Sequence, residues 1–358
     1  MQLMSMRKIA QQLGVSTALV SMALRDKGRV SQETRLKIKA AAEAMDYHVH
    51  PVISKGYSLA RGSMSGNYRE TLAFITEYPE IKRHHYQYEA RQGASERAKQ
   101  LGYLLETFVV SDKRSDQQNL SRILVARGIR GLIIVPRVKC RQPRLYFDWK
   151  QFASVEIHRM LWYPRGLHYV GSTAYHKILE ALHLLKKVGF KRIGMAIDPQ
   201  QNHFQKSVFT AAYQVVQSKL PVSRRIPPLL SFGPWGEETF KRWLDRYRPD
   251  VLYRHDRDIP DWVEKLGMKV PEDISLFCAN VNNDSLTSGL RRDYFSMGQS
   301  AVEMLSLLLG NNTLGLAKNP RCWLVEEIWQ PGTTLRHSIA PYVCEDGYSV
   351  RNRSPSSI

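Results

Sequence analysis

The sequence predicts an all-α head joined to an α/β body of two doubly wound parallel-sheet lobes. Three observations predict it. Near the start, apolar residues recur at helical spacing on both sides of a Gly-Val-Ser interruption. Further on, short apolar runs alternate with amphipathic stretches, and that alternation stops and restarts near the middle. A chain of 358 residues, 43% of them hydrophobic, is long enough to bury a small domain core and two larger lobes.

In the head, Ile9, Ala10 and Leu13 share one helical face, Gly14-Val15-Ser16 breaks the period, and Val20, Ala23 and Leu24 resume it. Gly14 stands where a first helix needs a left-handed residue to end, and Ser16 can cap a second by accepting from its free N–H groups. The result is helix, tight turn, helix. The second helix, about Thr17 to Arg25, carries Thr17, Ala18, Ser21, Met22 and Arg25 on its outer face. Small polar side chains at the front of such a helix can lie close to base edges in the major groove. Ser31 signals a third helix running through Met45, with Leu36, Ile38, Ala41, Ala42 and Met45 on its apolar side.

Residues 48–70 change character, with Pro51, Ser54, Gly56, Ser58, Gly62, Ser63, Ser65 and Gly66 marking a linker. The body then begins with a strand at Leu72–Ile75, a helix from Tyr86 to Leu101, a strand from Tyr103 to Val110, a helix from Gln117 to Ala126 and a strand from Gly131 to Val135. The alternation restarts after Trp162: helix Thr173–Lys187, strand Arg192–Ile197, helices Gln205–Ser218 and Glu237–Arg246, and strands Val251–Tyr253 and Ile274–Cys278. Apolar strands separated by amphipathic helices imply parallel sheets covered on both faces.

Charge narrows the function. With 52 Lys and Arg against 33 Asp and Glu the chain is formally +19, which suits a polyanionic partner. The first 61 residues hold ten Lys or Arg against four Asp or Glu, about twice the net positive charge per residue of the remainder. No apolar run reaches the length of a membrane span and the first ten residues lack a signal-peptide core, so a cytoplasmic, nucleoid-associated protein is expected. Cys140, Cys278, Cys322 and Cys344 are far apart and indicate neither a disulfide frame nor a zinc site. Gly-x-Gly-x-x-Gly after a strand, a phosphate loop and His-Glu-x-x-His are all missing, so neither a cofactor nor an enzymatic activity is expected. The pair His84-His85 reads as solvated, because neighbouring side chains point apart.

Several stretches carry a family resemblance. Ile9-Ala10-x-x-x-Gly14-Val15-Ser16-x-x-x-Val20-Ser21, Val30-Ser31-x-x-Thr34-Arg35 and Tyr47 resemble the helix-turn-helix head of the LacI/GalR family of bacterial transcription regulators. In the body, Gly93-x-x-x-x-Ala98-x-x-x-Gly102-Tyr103, Arg127-Gly128-Ile129-Arg130-Gly131-Leu132-Ile133, Gly189-Phe190-Lys191-Arg192-Ile193-Gly194 and Leu266 to Ser275 resemble its effector-binding domain. The resemblance implies a DNA-binding head over 1–47, a hinge over 48–70 and a two-lobed effector-binding and dimerisation domain of periplasmic-binding-protein-like type over 71–336. Residues 337–358, rich in Ser, Arg and Pro, are expected to be a disordered tail.

By the same resemblance, Ser16, Thr17, Ala18, Ser21, Met22, Arg25, Arg29, Ser31 and Thr34 would meet DNA. Met22 stands where the family often has arginine, so apolar contact with a thymine methyl replaces bidentate reading of guanine. The family's hinge wedges a leucine into the minor groove. Gly56 occupies that position here, leaving Tyr57 or Leu59 to supply a wedge. The effector would lie between the lobes. The family's sugar-contacting arginine falls on Phe209, its cleft asparagine on His255 beside Asp256, and its late aspartate on Asn280 or Asn282, with Thr76 and Tyr86 as further lining. Such a set favours a neutral ligand, first of all a small sugar.

The sequence therefore points to a homodimeric, sequence-specific DNA-binding regulator, a repressor first, controlled by a small molecule. Two other readings stand beside it: a regulator with a vestigial, ligand-free cleft, and a cytoplasmic solute-binding protein, against which the basic head speaks.

Overall fold

The computed structural model describes residues 6–24, 30–45, 70–80, 85–137, 142–255, 258–281 and 286–343. The chain divides into two compact units, Met1–Tyr68 and Arg69–Ile358.

In the first unit, α1 (Met6–Leu13), α2 (Thr17–Leu24) and α3 (Gln32–Ala44) enclose Ile9, Ala10, Val20, Ala23, Ile38 and Ala42. The turn is built as its residues require. Gly14 has φ +63°, a conformation that costs a side-chain-bearing residue about 1 kcal/mol or more. Ser16 Oγ accepts the Leu19 N–H at 3.1 Å, and Ser31 Oγ accepts the Thr34 N–H at 3.2 Å to start α3. Leu36 departs from expectation. It is 63% exposed, because the buried stripe of α3 runs through Ile38 and Ala42 and position 36 lies on the far side of the helix.

The body holds two sheets. The first has the order β10-β5-β4-β3-β1-β2, with β1 (Thr71–Thr76), β2 (Leu104–Val109), β3 (Gly131–Ile134), β4 (Ala153–Ile157), β5 (His168–Ser172) and β10 (Cys322–Val325) all parallel. Between them run α4 (His85–Gln100) and α5 (Arg114–Ala126). The second lobe opens with α6 (Ala174–Lys187), β6 (Ile193–Ala196), α7 (Pro199–Phe204), α8 (Val208–Ser218), α9 (Glu237–Tyr247), β7 (Val251–Arg254) and α10 (Asp258–Lys265). β8 (Ser275–Cys278), β9 (Gly289–Arg291) and β11 (Ile328–Gln330) complete it, while α11 (Tyr294–Gly310), which follows β9 in the chain, packs on the first lobe. The second lobe's sheet order is β11-β9-β8-β7-β6, parallel except for the edge strand β11, which runs antiparallel to β9.

The chain crosses between sheets three times: after β5, between β9 and α11, and between β10 and β11. The restart seen in the sequence at Trp162 is therefore not the lobe boundary. β5, α11 and β10 all build the first lobe, and α11 lies against α4. Two glycines permit that approach: a Cβ at Gly93 would sit 2.0 Å from the Phe295 carbonyl oxygen, and one at Gly298 would sit 2.0 Å from that of Ala90. The expected disordered tail also begins too early. Ile339 and Val343 are buried in the core of the second lobe with Leu335, since the segment carries apolar residues at 339 and 343 among its polar ones. Cys140 and Cys344 lie outside the described residues, whereas Cys278 is buried and Cys322 half-buried. No described helix is long and apolar enough to cross a membrane.

Candidate nucleic-acid interface and inter-lobe cleft

The cap and the core fix which side of α2 is free. Val20 and Ala23 face inward at 0% exposure while Thr17 is exposed and Met22 is 37% exposed. Residues 17, 18, 21 and 22 fall on one helical arc, so Ala18 and Ser21 sit on α2 in line with Thr17 and Met22. Ser16 and Ser31 are exposed but spend their hydroxyls on caps, and Thr34 Oγ1 lies 2.7 Å from Ser31 Oγ. Lys8, Lys37 and Lys39 are exposed. Lys37 pairs with Glu33 at 2.7 Å, an exposed i,i+4 pair that a phosphate can displace at small cost. Arg25, Lys27, Arg29, Gly56, Tyr57 and Leu59 lie outside the described residues.

In the body, strand ends and crossovers from both lobes gather a second group. On the first-lobe side, Thr76 at the end of β1 hydrogen-bonds Gln87 and accepts the Tyr78 N–H at 3.1 Å. Gln87 donates to the Pro136 carbonyl at 3.0 Å and to the Tyr86 hydroxyl at 3.2 Å. Tyr86 packs on Tyr294, ring centroids 5.7 Å apart, and Tyr294 meets His158 at 5.5 Å edge-on. Burial, followed by the nearby Tyr78, raises the Tyr86 pKa, so its hydroxyl stays protonated. On the second-lobe side, Phe209 meets His255 edge-on at 5.4 Å and Tyr253 at 6.5 Å.

Four of these side chains have enclosed polar atoms without a hydrogen-bond partner: Nε2 of His158, Nε2 of His255, Oη of Tyr253 and Oδ1 of Asn280. Buried polar groups are normally satisfied by protein or by ordered water, so these four atoms, one after β4 and three in or just after β7 and β8, keep valences that a water or a ligand can fill. Burial, with Arg292 adding repulsion, lowers the pKa of both histidines to about 3. Each imidazole is therefore neutral near pH 7, one nitrogen donating and one accepting.

Sequence reasoning passed over Arg292, Tyr294, His158 and Glu327. Arg292 lies at the crossover between β9 and α11, 5% exposed, and its Nε stands 3.3 Å from Oε1 of buried Glu327 at the crossover between β10 and β11. Burial opposes its charge, and Tyr294 and Glu327 outweigh that opposition, raising its pKa. Arg292 therefore adds a cation that the sequence did not place at the cleft, and the Glu327 carboxylate pairs with it. The signal was the doublet Arg291-Arg292 immediately before Asp293, which caps α11 by accepting the Ser296 N–H at 2.9 Å.

The expected lining divides accordingly. His255 and Asn280 keep open valences, and Tyr86 is half-buried. Phe209, expected among the lining residues, is not open to the cleft. It is 1% exposed in the second-lobe core and acts as a floor under His255. Thr76 is likewise fully buried and hydrogen-bonded. Asp256 and Asn282 lie outside the described residues.

Comparison with known proteins bears on both regions. Residues 5–50 match the family model described as bacterial regulatory proteins, lacI family. The chain is 24% identical to the HTH-type transcriptional repressor CytR of Escherichia coli strain K12 over 298 residues, which cover 76% of this chain and 78% of that one. Among solved structures it resembles the transcriptional regulator CelR in complex with cellobiose (TM-score 0.54, 14% identity, 92% of this chain and 99% of that one). It also resembles the lac repressor dimer bound to operator and the anti-inducer ONPF (TM-score 0.53, 15% identity, 93% and 100%).

Proposed function

We propose, from the premise that this chain belongs to the LacI/GalR family of bacterial transcription regulators, that it is a repressor whose operator affinity answers to a small neutral molecule held between the body lobes. The observation that carries the DNA half is the helix-turn-helix itself: a Gly14 turn and a Ser16 cap set α2 with Thr17 and Met22 exposed. One head covers half of a pseudo-palindromic site, so the working species is a homodimer.

The ligand half rests on the four unsatisfied polar atoms and on charge. His158 and His255 are neutral and Arg292 is paired with Glu327, so the two imidazoles offer hydrogen bonds without charge of their own. Hydroxyl groups satisfy such a set, and a sugar or polyol is the expected class. CelR, whose complex holds cellobiose, is consistent with that reading.

A second reading has its own observation. Phe209 and Thr76, two of the expected lining residues, are closed off by the protein itself, as a regulator with a vestigial cleft would show. One experiment separates the two. The purified chain is used to select duplex fragments from a random pool, and its body transition is then followed by thermal denaturation against a panel of neutral sugars and polyols. Retained fragments with a common palindrome support the regulator. A rise in melting temperature that His255→Ala abolishes supports the ligand. No rise with any member leaves the vestigial-cleft reading in its place.

A further inference from the structure

A cavity lies between the lobes, and its wall includes Arg159, next in the chain to His158, but neither His158 nor His255. Along β4, Val155 and Ile157 pack towards α4 and α11, so Ser154 and Glu156 project from the opposite face of the sheet. On that face a space of about 350 Å³ is walled by Glu156, Arg159, Trp162 and Arg165 of the first lobe and by Lys206 of the second. Leu161, Leu167, Pro164 and Pro320 complete the wall with apolar surface.

Both lobes are joined around it. Lys206 Nζ donates to the Arg159 carbonyl oxygen at 3.4 Å. Trp162 stacks on His203 with centroids 5.8 Å apart and planes at 17°. Four residues on the two facing segments are held in the left-handed region without being glycine: His158 (φ 70°), Arg159 (φ 48°), Lys206 (φ 51°) and Ser207 (φ 61°). Backbone strain of this kind costs about 1–3 kcal/mol per residue and gathers at binding sites.

The charges around the space are unbalanced. Ion pairs among the described residues engage other cations, such as Arg137, Lys177 and Arg292. Glu156 is the one carboxyl in the wall among the described residues, 3% exposed and accepting the Leu161 N–H at 2.6 Å. Burial pushes its pKa up to about 7 against the pull of those backbone donors and of Lys206 and Arg159, so much of it is uncharged near neutral pH. Burial and the neighbouring Arg159 lower the Lys206 pKa. Among the described residues, three cations thus border the space against a single carboxyl.

We infer that this cavity binds a small phosphomonoester, its phosphate held by Arg159, Arg165 and Lys206 and its apolar or aromatic body against Trp162 and the proline-leucine wall. Arg159, whose guanidinium lies 5.2 Å over the Tyr169 ring, Arg165 and Lys206 all border the one space, and two guanidinium forks with an ammonium carry more donors than a planar carboxylate can accept, which suits a tetrahedral dianion. The site is distinct from the neutral cluster around His158 and His255 and does not depend on the regulator reading.

Calorimetric titration of the full chain at constant ionic strength tests it, with phenyl phosphate, inorganic phosphate, sulfate and phenol as probes. Phenyl phosphate is expected to bind most tightly, inorganic phosphate more weakly and phenol not at all. Arg165→Met and Lys206→Met should each weaken phenyl phosphate about tenfold or more, whereas Arg122→Met, an exposed arginine on α5, and His255→Ala should leave it unchanged. Lys206→Arg should restore most of the affinity, and the melting temperature of each unliganded variant establishes that it folds. The proposal is overturned if sulfate matches phenyl phosphate, if Arg122→Met weakens binding as much as Arg165→Met, or if His255→Ala removes it. The last result would place the phosphate in the central cluster.

Discussion

The head and the inter-lobe cleft assemble their working side chains in opposite ways. In the head, the residues that shape the turn and those that would meet DNA lie within about twenty consecutive positions, and each cap is closed by a partner three residues away. In the cleft, Tyr86, His158, His255 and Tyr294 come from four separate segments, brought together by two sheets and three crossings of the chain. The contrast teaches that a local motif can be read before folding, whereas a site made at crossovers depends on which strands become neighbours.

The strongest way to break the comparison is at the crossovers. Arg292→Met strands the Glu327 carboxylate in a buried setting, and a charge orphaned in this way costs about 3–5 kcal/mol. Urea denaturation should show the body transition displaced by that amount and the head transition unmoved. Arg292→Met combined with Glu327→Gln should recover a substantial part. A single variant no less stable than the parent would mean that the pair does not brace the crossovers.

Protonation provides the next largest effect, and its sign differs between groups. His158 and His255 have pKa values near 3 in the folded chain against about 6.5 when unfolded. They cost nothing above pH about 6.5, and destabilise the body increasingly as pH falls towards 3, on the order of a few kcal/mol by pH 4. Glu156 works the other way. Its pKa stands near 7 against 4.5 unfolded, so its cost is absent below about 4.5 and grows as pH rises to 7. Replacing His255 by Gln should flatten the acid limb, and Glu156→Gln should flatten the opposite slope. Acid unfolding that neither substitution alters would contradict the burial of these groups.

These cases show what was legible in the sequence. Gly14, Ser16 and the Val20–Ala23 stripe announced the head because a cap and a helical period are properties of adjacent residues. Strands such as Leu72–Ile75 were legible as apolar runs. β4, β5 and α11 were not assigned to the first lobe, because nothing in their own residues says which sheet they join. Phe209 was placed in the cleft by alignment with an arginine. Its ring satisfies itself in the second-lobe core, which spacing alone does not reveal. Arg292 and His158 were passed over because their importance arises only when Tyr294 and Glu327 are brought beside them.

A smaller effect sharpens the head side of the comparison. Ser16→Ala removes the acceptor for the Leu19 N–H and should cost about 1 kcal/mol, read as an earlier head transition with the body transition unchanged. An equal shift in both transitions would mean that the two units do not melt separately.

The most direct measurement is the binding of selected duplex DNA by the full chain as salt is raised, with the parent and Met22→Arg compared side by side by fluorescence anisotropy. The predicted result is a linear fall of log affinity with log salt, about 0.9 in slope for each phosphate contacted. Met22→Arg should change the preferred sequence towards guanine at one position of each half-site. Absence of retention at low salt, with both units shown to be folded, would contradict the assignment of the α2 face to DNA.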